Sequence, residues 1–392
     1  MSPEKRRLRI IQYFITVFLY WAALYLYVPT LPVYAQTKTH NLELIGSMLA
    51  MYGLWQALLR LPLGIISDWV GRRKPFILAG FALAGLGAWW MGSAGGITAL
   101  TLGRSITGLA AATWVLLVVA FNSLFPPEDT VRATALLWFA NASGRMVATA
   151  ATGVLNDLGG YSLAFYLAIG LAVLAMLMLL PMPEVKRAAV KPSFSGIFQL
   201  TTRSDVLLPA LLAAVVQYVC YATTYGFVPI LAEKFGASNT VQSSMVSLNL
   251  VLLMAGNLVV TNFDKKLGSR RLLLGALGLM ALSFGLLAFV RGNQGLFISQ
   301  ILGGLGAGIS LPTLMGMSIE KVDDSRRSTA MGLHQSVYAI GMFAGPWLSG
   351  ILAKVMGIQP MFGWSTAVFL ALATFNMWAL REKPQMNTNF HR

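Results

Sequence analysis

Three arginines, Arg60, Arg104 and Arg145, stand inside long apolar stretches of this 392-residue chain. A guanidinium in the middle of a hydrocarbon layer costs at least about 2.5 kcal/mol even on a lenient insertion scale, so each is a candidate for function. The 14 acidic residues sit at the ends of apolar segments, in loops or in tails. Buried cations without matching buried acids suit an anionic or zwitterionic solute and repel an isolated lipophilic cation.

The arginines keep polar company at helical spacing. Arg104 heads the run Arg-Ser-Ile-Thr-Gly, and Asn122, eighteen residues on, shares its helix face. Asn141, Arg145, Thr149, Thr152 and Asn156 recur at steps of four, four, three and four, a polar stripe expected to face a water-filled space. Plainer uses stay open: Arg104, about two turns from one end of its segment, can extend its head group outward, and Arg145 can serve packing. Further on, His334, Tyr338, Gly341 and Gly345 share one face, and Gln217, Tyr221 and Thr224 share another. His334 lies deep in apolar sequence and is either a proton carrier near neutral pH or a hydrogen-bonded core residue. Tyr20, Trp21, Tyr25 and Tyr27 crowd the first segment, where such rings more often pack than bind. Arg104, Arg145, Asn141, Asn122, Tyr20, Gln217, Tyr221, Gln300, His334 and Tyr338 form the candidate binding set.

The elements that hold these residues are membrane spans. The chain is 56% hydrophobic and 11% charged, against about 25% charged in a soluble domain. A span needs about 20 apolar residues, and the length accommodates twelve, an all-α membrane fold. Helix 1 runs from about Ile10 to Ala35 and bends near Pro29 and Pro32; helices 5 and 6 run from about Val131 to Leu155 and Leu163 to Leu180. Polar sequence separates two bundles, residues 1–181 and 206–392, with 182–205 as a linker. The charged N-terminus leads into a retained first helix, since the apolar run is long and lacks a clear cleavage site.

The net charge of +15 is topogenic rather than a sign of nucleic acid. Of 29 lysines and arginines, three lie within spans and four (Lys38, Lys234, Arg291, Lys354) on one set of loops; the rest crowd the other set. That bias places both termini and the linker in the cytoplasm, beside anionic headgroups. A single cysteine, Cys220, forms no internal disulfide.

The halves are related to each other. Gly64-Ile-Ile-Ser-Asp68-Trp-Val-Gly71-Arg72-Arg73 ends one apolar run, and Asp264, Lys265, Lys266, Gly268, Arg270 and Arg271 follow another, the two aspartates lying 196 residues apart, half the chain. Arg104 aligns with Gln300 at the same offset, Arg132 with Arg327 at 195, and Val28-Pro29 with Val228-Pro229 at 200. Four echoes in order mark a parallel repeat.

Gly64, Asp68, Gly71, Arg72 and Arg73 resemble the loop 2-3 signature of the major facilitator superfamily, and Arg104 to Gly108 resembles the R-x3-G signature of its drug/proton antiporters. The resemblance implies twelve helices in two six-helix bundles, with Arg104 of helix 4, expected from about Ile97 to Phe125, facing the central cavity and influencing proton or substrate binding. It also implies a contact between Asp68 and helix 11, expected from about Thr329 to Val355, that closes the cytoplasmic side. The antiporters carry a glycine- and proline-rich signature in helix 5; here a similar pattern lies in helix 11, at Gly341, Gly345, Pro346, Ser349 and Gly350, where small residues permit close packing. Gly64, Asp68, Gly71, Arg72, Arg73, Asp264, Gly345 and Pro346 are the candidate gating residues.

The expectation is a secondary transporter, not an enzyme, with neither cofactor nor metal, in the cell membrane. It moves a small organic solute by proton-linked efflux, as an antiporter and a monomer. A proton-coupled importer of an organic anion and a non-transporting sensor or assembly partner are the competing readings.

Overall fold

Glycine and proline divide the apolar sequence into its helices. The computed structural model describes residues 3–126, 129–184, 199–323 and 327–379, and among these it is built of helices and short turns without a strand. α1 (Pro3–Tyr25) continues through a 3-10 turn at Val28–Thr30 into Leu31–Gln36, with Pro29 and Pro32 at the starts of the two short pieces. The bend expected from those prolines lies there, because neither residue offers an N–H to the preceding turn.

α2 (Leu42–Val70) starts at Asn41, whose side chain accepts from the Glu43 amide at 3.0 Å. It ends at Gly71, where φ is 69°, a left-handed conformation without penalty for glycine. α3 (Lys74–Gly92) and α4 (Ile97–Ala112, continued as Trp114–Asn122) follow. α5 and α6 are the two arms of Thr130–Leu179. Where the sequence predicts a loop between Leu155 and Leu163, the break is confined to Gly159 and Gly160, the latter at φ 70° and ψ 176°.

α7 (Ser204–Ala222) passes through a π-helical turn at Thr223–Phe227 into Val228–Lys234. α8 (Asn239–Leu267), α9 (Ser269–Leu286), α10 (Asn293–Ile319), α11 (Arg327–Met356) and α12 (Ile358–Ala379) complete the chain. Eleven helical runs are long and apolar enough to cross a membrane, one of them the kinked pair α5–α6. Twelve spans result. Large apolar side chains such as Phe289, Leu158 and Leu282 face outward while polar ones are buried, the arrangement lipid demands. The chain is a multi-pass membrane protein.

The two halves repeat one packing scheme. α1 lies on α5 as α7 lies on α11, α2 on α4 as α8 on α10, and α3 on α4 as α9 on α10. Between halves, α2 packs on α11 and α5 on α8. The end bearing Arg72, Lys74, Arg270 and Arg271 is the basic end; the other is the far end.

At the far end the halves touch. Lys354 Nζ donates to Glu43 Oε2 at 2.7 Å, and Asp157 accepts from Asn239 at 2.9 Å and Thr240 at 2.8 Å. Gly46 abuts the Pro346 carbonyl, and a Cβ on Gly350 would lie 2.7 Å from the Leu42 oxygen. Toward the basic end α2 and α11 diverge. Gly64 shares the face of Gly46 and Gly53, and Gly332 lies across from it by the same register, yet a Cβ on either would meet nothing within 4 Å.

Candidate functional site

Arg145 sits midway along α5, where its guanidinium has three surroundings to choose from: lipid, its own bundle, or the partner half. It takes the junction. Its guanidinium carbon stands 4.3 Å over the ring of Tyr25 on α1, and Nη2 donates to the Tyr225 hydroxyl at 2.6 Å. Tyr25 belongs to the first half and Tyr225 to the second, so this arginine joins the halves at mid-depth. A ring face beneath a desolvated guanidinium returns on the order of 1–2 kcal/mol of its insertion cost.

The π turn explains how Tyr225 reaches it. A π helix widens the turn so that residues four apart come nearly into line; Tyr221 and Tyr225 pack with ring centroids 5.0 Å apart. A Cβ on Gly226 would lie 2.6 Å from the Tyr221 oxygen, so a larger residue would disturb the turn. Tyr25 and Tyr225 are repeat partners, three residues before Val28 and Val228, and their rings meet edge to face at 5.9 Å.

Arg104 is 3% exposed, with its guanidinium 4.1 Å over the Tyr52 ring of α2. Its Nε and Nη1 and the Tyr52 hydroxyl are buried and lack a hydrogen-bond partner. Tyr52 in turn lies nearly parallel to Tyr221, at 6.4 Å and 20°, and the Tyr25 and Tyr221 hydroxyls are 3.4 Å apart. Two arginines and four tyrosines from α1, α2, α4, α5 and α7 thus form one connected cluster.

Arg60 on α2 makes the junction with α11 nearer the basic end. It donates to Gln56 Oε1, to the Tyr338 hydroxyl at 2.8 Å and to the Gln335 carbonyl at 3.4 Å, and stands 5.2 Å over the Tyr338 ring. Among the described residues no carboxylate pairs with Arg60, Arg104 or Arg145; ion pairs such as Lys354–Glu43 and Arg203–Asp205 lie at the ends of the bundle.

The rest of the sequence-derived set divides. Tyr221 and Tyr338 join the junction. Gln217, half-buried, lies one helical turn before Tyr221. Tyr20 donates to the Ala110 carbonyl at 2.6 Å inside the first half, Asn122 donates to Thr134 at 2.9 Å, and Gln300 accepts from Thr224 at 2.7 Å inside the second. Asn141 is buried with Oδ1 unpartnered. The polar stripe of α5 does not face one water-filled space: Thr152 donates to the Leu26 carbonyl, Asn156 to Thr30, and Thr149 accepts from Ser247 of α8. Neighbouring helices absorb these short side chains, and Arg145 alone is long enough to reach the rings.

His334 is 1% exposed. Ser318 donates to the Val206 carbonyl at 3.0 Å and lies 2.7 Å from His334 Nδ1. A hydroxyl has one proton to give, so Nδ1 carries its own and donates to Ser318, which leaves Nε2 as the basic nitrogen.

Among the gating candidates, Gly345 packs on α7, where a Cβ would lie 2.6 Å from the Tyr218 oxygen, and Pro346 meets Gly46 of α2. Arg72 is exposed beyond Gly71. The Arg73 and Lys74 amides donate to Glu184 at 3.0 and 3.1 Å, tying the loop to the end of α6. The side chains of Asp68 and Asp264 lie outside the described residues.

Sequence patterns single out Arg60 as an in-span charge but give it no partner; they leave Tyr25 among packing aromatics and do not single out Tyr52 or Tyr225. The repeat offset of 200 between Tyr25 and Tyr225 is the signal that marks two of them.

Two related six-helix halves, in contact along α2–α11 and α5–α8, with a guanidinium at their junction that no carboxylate among the described residues pairs, define a multi-pass membrane transporter. The chain belongs to the major facilitator superfamily, whose family model matches residues 13–225 and 210–391. An uncharacterised transporter of this type from Methanocaldococcus jannaschii is 24% identical over 360 residues, 87% of this chain and 90% of the relative. The class G tetracycline resistance protein of Vibrio anguillarum is 27% identical over 315 residues, 77% of this chain and 78% of the relative. Among solved structures, a bacterial homologue of the human lysosomal transporter Spinster, inward-facing and unoccupied, shares the fold with a TM-score of 0.78 at 15% identity, over 97% of this chain and 98% of its own.

Proposed function

We propose that this chain exports a small organic anion or zwitterion across the cytoplasmic membrane by alternating access, in exchange for protons. The observation that carries the reading is the placement of Arg145 at the junction of the halves and of Arg104 behind Tyr52, which borders it, with no carboxylate partner among the described residues. A solute anion supplies that missing charge.

Placing the basic end in the cytoplasm follows the distribution of lysine and arginine. The far end is then external, and its contacts through Glu43, Lys354 and Asp157 hold the outer side shut. Residues 1–181 and 206–392 rock about this junction, on the linker 182–205, as a monomer. Gly64 to Arg73, its echo around Asp264, and the contacts of Gly345 with α7 and of Pro346 with α2 make and break as the sides alternate.

Export and proton coupling draw support from the Arg104-to-Gly108 motif and from the similarity to a tetracycline resistance protein. His334 Nε2 and the solute's own acid group are the available proton carriers. The test is transport in proteoliposomes loaded with organic anions, with imposed pH gradients of either sign. Proton-linked export predicts solute movement accelerated by protons flowing the opposite way. Acceleration by protons flowing the same way makes it an importer, and indifference to the gradient removes proton coupling.

A further inference from the structure

We infer that the junction takes a planar aromatic acid, its carboxylate at Arg104 and its ring among Tyr52, Tyr221, Tyr25 and Tyr225. This rests on the anion reading above and narrows it.

The first support is an excess of donors. Arg104 Nε and Nη1 and the Tyr52 hydroxyl are buried, close together and unpartnered, and each has a proton to give. Leaving such groups unmet is costly, and a carboxylate, which accepts only, answers the donors along one edge of the guanidinium.

The second support is the wall beside those donors. Tyr52 and Tyr221 lie within 20° of parallel at 6.4 Å, and Tyr225 closes the set at 5.0 Å from Tyr221 and 5.9 Å from Tyr25. A flat ring between parallel rings needs about 7–8 Å, twice the carbon contact distance. Tyr52 and Tyr221 belong to different halves, so rocking of one half against the other changes the space between their rings and can open it to a flat ring. A saturated ring is thicker and demands more.

Two matched acids and an aromatic cation test this with the intact purified protein: benzoate, cyclohexanecarboxylate and benzyltrimethylammonium, read by ligand-induced melting shifts and confirmed by titration calorimetry. Benzoate is expected to bind about three- to tenfold tighter than cyclohexanecarboxylate, the range of an aromatic pair. In Tyr221→Leu the preference for benzoate over cyclohexanecarboxylate disappears; in Arg104→Gln both acids are lost. Because a variant can fold poorly, the wild-type comparison of the two acids stands by itself. Equal binding of the two overturns the aromatic site and leaves the anion reading intact. Preference for benzyltrimethylammonium over both acids, or no binding of either acid, overturns the proposal, and the first of these overturns the anion reading as well.

Discussion

Replacing Tyr225 by phenylalanine removes one hydroxyl and keeps the ring that packs on Tyr25 at 5.9 Å and on Tyr221 at 5.0 Å. What is lost is the 2.6 Å hydrogen bond from Arg145 Nη2, made across the two halves. The stacking of Arg145 on Tyr25 lies within the first half and stays, so it cancels between conformations. A hydrogen bond to a charged group contributes about 1.5–3 kcal/mol. If the contact exists only while the far end is shut, Tyr225→Phe shifts the equilibrium toward far-end opening by about ten- to a hundredfold. Ser243, 1% exposed on α8 two residues before Met245, reports that opening. With Cys220→Ser as background, Ser243→Cys is expected to react with an impermeant maleimide from the far side about tenfold faster or more once Tyr225→Phe is added. An unchanged labelling rate at an unchanged melting temperature refutes the idea that Arg145 holds the halves together.

Gly46→Val puts atoms where the Pro346 carbonyl and the Gly350 backbone already touch α2, so it should hold the far end open and stop turnover while the protein still inserts; normal transport by that variant would contradict the closure seen here. The Glu43–Lys354 pair is partly exposed, at 40% and 52%, and such pairs contribute about 0–1 kcal/mol. Lys354→Gln should therefore change far-side labelling no more than about fivefold, and a larger effect would mean that this pair is the main latch. His334→Asn keeps a donor toward Ser318 but cannot take a proton, so transport should continue and lose its response to a pH gradient. Retained coupling would pass the proton to the solute.

The sequence carries the architecture almost whole. Apolar lengths, the echo of Asp68 at Asp264 and the bias of basic residues yield twelve spans in two related halves, because hydrocarbon leaves the backbone little choice. The site is only partly legible. Arg104 and Arg145 stand out, since a charge in a span is rare and expensive. Their partners do not, because a tyrosine that packs and a tyrosine that stacks under a guanidinium share one pattern. Asn156 and Thr152 look like cavity lining by spacing, yet they bond to α1, since a short polar side chain is satisfied by whichever helix lies closest. The fan of α2 and α11, from contact at Gly46 to open space at Gly64, follows from how two helices meet and is not written in either helix alone.

The central claim is that unpaired positive charge at the junction of the halves binds an anion. Its most direct test is the melting temperature of the purified protein against panels of organic anions, cations and neutral amphiphiles, repeated in Arg104→Gln and Arg145→Gln, since a ligand that favours the folded state raises it. The account predicts stabilisation by anions in the wild type and its loss in both variants. Stabilisation by anions that survives in both variants, or stabilisation by cations alone, would contradict it.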